Sequence, residues 1–228
     1  MTNIPGTIGP LKKPEGFELA FRQREPLPAS PKRCVVLLHG VGGDETNLSD
    51  LAADFDADTL VVFPRGPLQL GVGQFAWFRV AFTAAGPQIV AAEAEHSRRL
   101  LIAFIGRLQK IHGIAPRHTV VAGFSQGGIL SASAALTAPE CVANFGVLSG
   151  RILPELEPLL ASREDLAGVK GFIGHGEFDS KLPVAWAHRA DEWLDELGVE
   201  HALRLYPIDH GINAQMHADF MAWIEALG

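Results

Sequence analysis

The chain of 228 residues has little cysteine and no long apolar run. Its two cysteines, Cys34 and Cys141, are far apart and outside any C-x-x-C pattern, which argues for free thiols in a reducing compartment rather than disulfides or a redox pair. No apolar run reaches the roughly 18 residues that a membrane span requires, and the amino terminus has no apolar signal region. We therefore expect a cytoplasmic protein without integral membrane association.

The chain also has no excess of positive charge. It contains 19 Lys and Arg against 26 Asp and Glu, giving a formal net charge of −7, and the acidic residues are spread along the sequence. Since binding to phosphate backbones depends on basic residues, nucleic acid is not an expected partner. Neither an H-E-x-x-H motif nor a cluster of Cys and His is present, so no metal site is expected.

Short apolar segments alternate with longer segments of helical periodicity. Residues 17–24 are typical of a half-exposed edge strand, and buried parallel strands are predicted at 34–40, 59–64, 118–124, 144–150, 169–176 and 201–207. Helices are predicted at 89–111, 127–136, 184–197 and 212–227. The pattern predicts one α/β domain over 1–228, with an extended segment at 1–16 and a mostly parallel, doubly wound sheet that has helices on both faces.

The motif GFSQGG lies where such a sheet binds its ligands. Ser125 directly follows the predicted strand 118–124 and precedes a predicted helix. Gly123 and Gly127 leave room for the sharp turn that exposes a nucleophilic serine, and the first N–H groups of the helix point at this turn. A tight turn without catalytic function is the alternative.

Two further strand ends carry the partners that a serine nucleophile requires. A histidine must accept the serine proton, and a carboxylate usually orients that histidine. His210 lies in the loop after the last predicted strand, and Asp179 lies in the loop one strand earlier. Ser125, Asp179 and His210 follow the chain order of an α/β-hydrolase. Glu177 is the competing acid, and Asp179 could instead cap the next helix.

Seven short motifs occur in the order LLHGVGGDETNL, FPRGP, WF, GFSQGG, LSG, HGEFDSKLP and DHGI. Over residues 34–213 the chain thereby resembles the phospholipase/carboxylesterase family, which includes acyl-protein thioesterases and small bacterial esterases. The resemblance implies an α/β-hydrolase fold in which Ser125 is the nucleophile, Asp179 the acid and His210 the base. It also implies an oxyanion hole formed by the backbone N–H groups of Val41 and Gln126.

Two departures from the family pattern affect the expected site. Asp209 precedes His210 where relatives usually have glycine, so it either adds negative charge near the imidazole or faces solvent. The stretch 65–88 keeps the WF pair but is otherwise divergent. We predict that Trp77 and Phe78 in this stretch bind substrate as walls of an acyl pocket, and core packing is the alternative.

The predicted reaction is acyl transfer to water without a cofactor. The expected substrate is a small-molecule carboxylic ester, or a thioester, with a short to medium acyl chain that is transferred first to Ser125. The segment 151–169 is too short for a large cap domain, which predicts an open site. The alternatives are a protein-deacylating thioesterase or lysophospholipase and, from another class, a non-catalytic binding protein on the same scaffold. The oligomeric state stays open, with a homodimer as one alternative.

Overall fold

Strands and helices alternate through the computed structural model, which describes residues 7–83 and 86–228; residues 1–6 of the predicted extended segment lie outside the described residues. The strands are β1 (Thr7–Ile8), β2 (Phe21–Glu25), β3 (Arg33–Leu38), β4 (Thr59–Pro64), β5 (Leu68–Gly71), β6 (Gln74–Ala76), β7 (Val80–Thr83), β8 (Gly86–Ile89), β9 (Thr119–Phe124), β10 (Asn144–Leu148), β11 (Lys170–Gly176) and β12 (Glu200–Tyr206). The α-helices are α1 (Ala91–His112), α2 (Gln126–Thr137), α3 (Arg163–Leu166), α4 (Ala185–Leu197) and α5 (Ala214–Ala226). Short 3₁₀ helices cover Ser49–Asp54, Pro116–His118 and Pro154–Leu159.

Eight of these strands form one sheet in the order β1, β2, β4, β3, β9, β10, β11, β12. The pairs from β4 through β12 are parallel, whereas β2 pairs antiparallel with both β1 and β4. The carboxyl ends of the parallel strands therefore meet at one edge of the sheet, where ligands of this fold bind. The prediction of a mostly parallel sheet is confirmed.

Hydrophobic clusters cover both faces of the sheet. Successive residues of β3 point to opposite faces, so Val35 and Leu37 belong to one cluster while Val36 and Leu38 belong to the other. Residues of α1, α2 and α4 complete the Val36 cluster, and residues of α5 and of the 3₁₀ helix Ser49–Asp54 complete the Val35 cluster. The predicted placement of helices on both faces is confirmed.

The four long helices lie close to their predicted bounds, and two of them end at glycines. Gly113 ends α1 with a φ of 67°, and Gly198 ends α4 with a φ of 73°. Both are left-handed conformations, which glycine adopts without strain. The segment 151–169 contains only two short helices, so the prediction that no large cap domain is present is confirmed.

The burial of two strands differs from the prediction. The segment 201–207 was expected to be buried, but β12 is the edge strand of the sheet and most of its residues are at least partly exposed. Conversely, β2 is covered by β1 and buries Phe21, Gln23 and Arg24, so the prediction of a half-exposed edge strand at 17–24 is wrong. Arg24 is buried because its guanidinium donates to backbone carbonyls, among them that of Thr59 at 2.8 Å.

Two hairpins, β5–β6 and β7–β8, follow β4 and were not predicted. Their strands have three or four residues, which is too short to show a clear periodicity. The first hairpin is joined to the loop after β3, because the Gly42 N–H donates to the Phe75 carbonyl and the Phe75 N–H donates to the Gly43 carbonyl, both at 2.8 Å. The hairpins thus lie beside the carboxyl edge of the sheet.

The turn between β9 and α2 lies in very close contact with β3. A Cβ atom on Gly127 would be 2.1 Å from the carbonyl oxygen of Leu38, and one on Gly123 would be 2.6 Å from the same oxygen. Between the two glycines, Ser125 has a φ of 53°. Such backbone conformations cost a residue with a side chain about 1–3 kcal/mol. The turn therefore depends on the absence of side chains on both sides of Ser125.

We expect Gly127→Ala to destabilise the protein by about 1–3 kcal/mol or more, since the added methyl group would meet backbone atoms of β3. Gly106→Ala in α1 is the matched control, because a Cβ there has nothing within 4 Å. That change should raise the free energy of unfolding by up to about 1 kcal/mol, as alanine favours helices. Urea unfolding measures both variants, and wild-type stability of Gly127→Ala would contradict the close contact.

Candidate active site

Two hydrogen bonds join Ser125, His210 and Asp179 at the carboxyl edge of the sheet. His210 Nε2 lies 3.1 Å from Ser125 Oγ, and His210 Nδ1 lies 2.8 Å from Asp179 Oδ2. When the Nδ1–H group donates a hydrogen bond to the carboxylate, Nε2 is free to accept the proton of the serine hydroxyl. The structure thus brings together the three residues that the sequence placed at separate strand ends, in an arrangement that can activate a nucleophile.

Asp179 uses its two carboxylate oxygens differently. Oδ2 faces His210, while Oδ1 accepts hydrogen bonds from the backbone N–H groups of Lys181 at 2.9 Å and Leu182 at 2.7 Å. Asp179 therefore stabilises its own turn and contacts the histidine. It does not cap α4, whose N-cap residue is Val184, so the capping alternative is wrong. Glu177, the competing acid, is exposed, and its backbone N–H donates to the carbonyl of Tyr206.

A second, buried histidine, His175, contacts the loop that contains Asp179. Its Nε2 donates to the Leu182 carbonyl at 2.7 Å and lies 3.4 Å from Asp179 Oδ2. Burial lowers the pKa of His175, so the ring stays neutral near pH 7. Since His175 adds no positive charge there, the imidazole of His210 is the partner of the carboxylate.

Asp209 joins the loop of Asp179 to the loop of His210. Its Oδ1 accepts from the backbone N–H groups of Ser180 and His210, both at 2.7 Å, and its Oδ2 accepts from Ser180 Oγ at 3.2 Å. These bonds, with the Ser180 N–H first among them, lower the pKa of Asp209. Asp209 is exposed, which agrees with the alternative that it faces solvent. Its hydrogen bonds also fix the loop of His210 in place.

Val41 and Gln126 lie beside Ser125 around one small pocket. Within residues 7–83 and 86–228, neither backbone N–H donates to a protein acceptor. The Gln126 N–H is the first of α2, where N–H groups have no partner inside the helix. Two free donors near a nucleophile can stabilise a negatively charged oxygen, which is the function expected of an oxyanion hole.

A buried ion pair holds the loop that contains Val41. The carboxylate of Glu45 accepts from Arg22 Nε at 2.8 Å and from Arg65 Nε at 2.6 Å. Burial alone would raise the pKa of Glu45, but the hydrogen bonds from Arg65 and Arg22 outweigh it and lower the pKa to about 2. The loop after β3 is thereby anchored to β2 and to the end of β4.

The side chain of Gln126 positions the WF pair. Its Oε1 accepts from the Trp77 N–H at 2.7 Å, and its Nε2 donates to the Phe78 carbonyl at 2.6 Å. Phe78 lines the pocket beside Ser125. Trp77 is fully buried in the core, where its indole N–H donates to the His39 carbonyl at 3.0 Å. Both side chains thus pack in the core, and Phe78 also faces the pocket, so its role in binding substrate stays a prediction.

The pocket beside Ser125 is small and mostly apolar, with a cavity volume of about 30 Å³. Its apolar wall consists of Phe78, Val80, Pro87, Ile89, Ile129 and Leu182. Sequence reasoning missed all but Phe78. Val80, Pro87 and Ile89 belong to β7 and β8, which were not predicted. It also missed Arg151, which lines the same pocket. Its position just after a strand end was the available signal.

The two cysteine thiols do not belong to the Ser125 site. Burial raises the pKa of the Cys34 thiol to about 12 and that of Cys141 to about 11, so both thiols are protonated near pH 7. Among the described residues, His, Cys, Asp and Glu side chains form no group that could hold a metal ion. None of the helices in the described ranges has the length and apolarity needed to cross a membrane.

Comparisons with known proteins agree with the fold. The phospholipase/carboxylesterase family model matches residues 27–227. Acyl-protein thioesterase 1 of Kluyveromyces lactis is 28% identical over 180 residues, which is 74% of this chain and 79% of that protein. Acyl-protein thioesterase 1 of Eremothecium gossypii is 26% identical over 211 residues, or 86% of this chain and 88% of that protein.

Solved structures extend the similarity to nearly the whole chain. Esterase PE8 has a TM-score of 0.79 at 27% identity and covers 96% of this chain and 100% of its own. A carboxylesterase from Mesorhizobium loti shares the fold, with a TM-score of 0.78 at 23% identity over 94% of this chain and 98% of its own. The chain therefore belongs to the phospholipase/carboxylesterase family of α/β-hydrolase enzymes.

Proposed function

We propose that the protein hydrolyses carboxylic esters, and thioesters, of short to medium acyl chains through an acyl-enzyme on Ser125. The observation that carries this proposal is the pair of hydrogen bonds from Ser125 through His210 to Asp179, at 3.1 and 2.8 Å. Membership in a family of esterases and thioesterases supports it. The intact set of three residues argues against a binding protein that has lost catalysis.

In the first half of the proposed reaction, Ser125 Oγ attacks the substrate carbonyl while His210 Nε2 accepts the hydroxyl proton. The Asp179 carboxylate stabilises the resulting imidazolium. The N–H groups of Val41 and Gln126 hold the oxyanion, and each such donor contributes about 3 kcal/mol in other serine hydrolases. His210 then protonates the leaving alcohol or thiol, and the acyl group stays on Ser125.

In the second half, water replaces the leaving group. His210 accepts a proton from the water as it attacks the acyl-enzyme, and the same two N–H groups hold the second oxyanion. Collapse of this intermediate breaks the bond to Ser125 Oγ, which regains its proton from His210 and releases the carboxylic acid. All proton transfers use side chains of this chain, and no cofactor takes part.

The pocket supports short acyl groups as substrates. Its cavity is small, about 30 Å³, and its wall is mostly apolar. Each methylene that such a wall covers contributes about 0.8 kcal/mol to binding. A preference for thioesters is the second candidate, which the acyl-protein thioesterases among the curated relatives favour.

We infer that the enzyme acts in the cytoplasm as one domain. The two buried free thiols, Cys34 and Cys141, support a reducing compartment.

Within the described residues, the large exposed apolar side chains are scattered along the chain, with Ile111, Leu159 and Phe178 among them. The homodimer therefore stays a prediction, which sedimentation of the purified protein tests.

Ser125→Ala should lower the turnover of an activated ester by at least about 10³-fold, because the proposed nucleophile is removed. The thermal midpoint should stay close to that of the wild type, since the change removes one oxygen at a partly exposed position. A fluorophosphonate should label the wild type and leave the variant unlabelled. Wild-type turnover in the purified variant would exclude Ser125 as the nucleophile.

Asp179→Asn should lower turnover by about 10⁴-fold, as the same change does in a serine protease, because the amide favours the wrong tautomer of the histidine. Glu177→Gln is the matched control and should have a mild effect, since Glu177 is exposed. Steady-state kinetics on one ester compare the two variants. The opposite ranking would show that Glu177 is the acid.

Phe78→Ala and Trp77→Ala should each lower the free energy of unfolding by about 3–5 kcal/mol, since both side chains are buried. Phe78→Ala should in addition shift the preferred acyl chain towards greater length, because it deepens the pocket, whereas Trp77→Ala should reduce the turnover of all chain lengths together. Thermal midpoints and a series of p-nitrophenyl esters measure both effects. If Trp77→Ala shifts the preferred acyl-chain length and leaves the stability unchanged, the indole lines the acyl pocket instead of the core.

A further inference from the structure

The pocket beside Ser125 contains a buried arginine. Arg151 is only 6% exposed and lines the pocket together with Ser125 and Phe78. It directly follows Gly150, whose backbone lies so close to the nucleophile that an added Cβ would be 2.9 Å from the Ser125 carbonyl oxygen. The close backbone contact at Gly150 therefore fixes Arg151 beside the turn that contains Ser125.

The charge of Arg151 has no counter-charge in direct contact. Its buried Nε has no hydrogen-bond partner among residues 7–83 and 86–228, and no carboxylate of these ranges forms an ion pair with it. Burial lowers the pKa of Arg151, and the more distant, exposed Glu155 opposes this effect. A guanidinium nevertheless keeps its proton near neutral pH, so the pocket contains an unpaired cation.

An aromatic ring holds the guanidinium in place without using its donors. Arg151 Cζ lies 4.6 Å from the ring centroid of Trp186, and Arg189 Cζ lies 4.9 Å from the same ring. Stacking on a ring orients a guanidinium and leaves its N–H groups available in their own plane. Arg189 differs from Arg151 because it is exposed and does not line the pocket of Ser125.

The remaining charges near the pocket do not neutralise Arg151. Lys181 also lines it and adds positive charge. The Asp179 carboxylate is engaged by His210 and by two backbone N–H groups. A buried charge without a partner is unfavourable, and an anionic ligand would relieve this penalty through a two-point hydrogen bond to the guanidinium.

We propose that Arg151 binds a carboxylate of the substrate, so that the preferred substrates are short esters or thioesters that carry a free carboxylate. This inference rests on the proposed hydrolysis at Ser125. The small pocket places only a few atoms between the reacting carbonyl and the guanidinium, as in half esters of short dicarboxylic acids. The carboxylate belongs either to the acyl group or to the leaving group, and the two arms of the test distinguish these sources.

Each arm compares a carboxylate with its neutral, isosteric amide. Monomethyl glutarate and methyl 4-carbamoylbutanoate test the acyl side, while 3-acetoxypropanoate and 3-acetoxypropanamide test the leaving group. We expect the wild-type kcat/KM to favour the carboxylate by about 10- to 100-fold in one of the pairs, the range typical of hydrogen bonds to charged groups. Arg151→Gln should abolish this ratio, and Arg151→Lys should keep part of it.

Arg189→Gln is the matched control, since it removes the other guanidinium from Trp186 and should keep the ratio. Equal kcat/KM for carboxylate and amide in both pairs, or a ratio that survives Arg151→Gln, would overturn the inference. Ester hydrolysis that depends on Ser125 would in that case leave the proposed function intact. Turnover of none of the four esters, together with no labelling by a fluorophosphonate, would instead refute the proposed function.

Binding to a variant without the nucleophile provides a readout that does not depend on turnover. Calorimetry on Ser125→Ala should show glutarate binding at least about 10-fold tighter than on the double variant with Arg151→Gln. Thermal midpoints show whether each variant is folded, and Arg151→Lys keeps the comparison informative if the glutamine variant is unstable. Equal glutarate binding by the single and double variants would contradict the role of Arg151.

Discussion

The geometry of the site depends on the direct backbone contact between the start of α2 and the end of β3. Gly127 and Gly123 face the Leu38 carbonyl at distances that exclude any side chain. Ser125, between these glycines, has a positive φ of 53°, and the contact brings the first N–H of α2 close to the loop that follows β3. One packing constraint thereby positions the proposed nucleophile together with both proposed oxyanion donors, which lie on separate segments.

Loops at strand ends are usually the mobile part of such a fold, and here they are tied to one another in pairs. Asp209 joins the loops of Ser180 and His210, Gln126 joins the nucleophile turn to Phe78, and Glu45 joins the Val41 loop to the sheet. Most of these bonds involve backbone groups. Such bonds hold the reacting groups near their working positions before substrate binds, which is the condition under which fixed dipoles stabilise a transition state.

The parts of the structure that were predictable have local signals. The helices show their period, α1 and α4 end at glycines, and the two glycines around Ser125 indicate the sharp turn of GFSQGG. The hairpins of 68–76 and 80–89 have no such signal, because their strands are too short to show a period. Strand order is not local either, so the exposure of β12 could not be read from its apolar residues.

The direction of individual side chains decides which residues line the pocket, and the sequence does not show that direction. Trp77 and Phe78 are neighbours, and only Phe78 lines the pocket while the indole enters the core. Arg151 is buried because Trp186, from a distant segment, packs against its guanidinium. Sequence patterns assign charged residues to the surface by default, so a buried arginine becomes visible only once the segments that cover it are known.

The charge and the size of the pocket together narrow the class of substrate. Arg151 and Lys181 favour negative charge there, and they offset the repulsion that a substrate carboxylate would exert on a nearby oxyanion. At a separation of about 7 Å and an effective dielectric constant of about 20, that repulsion is roughly 2 kcal/mol, enough to slow the reaction more than tenfold if no cation opposed it. Cationic groups are disfavoured by the same charges, and the small cavity at Arg151 has room for a short linker between the ester and its carboxylate. The charge of the pocket therefore favours small anionic esters over neutral or cationic ones.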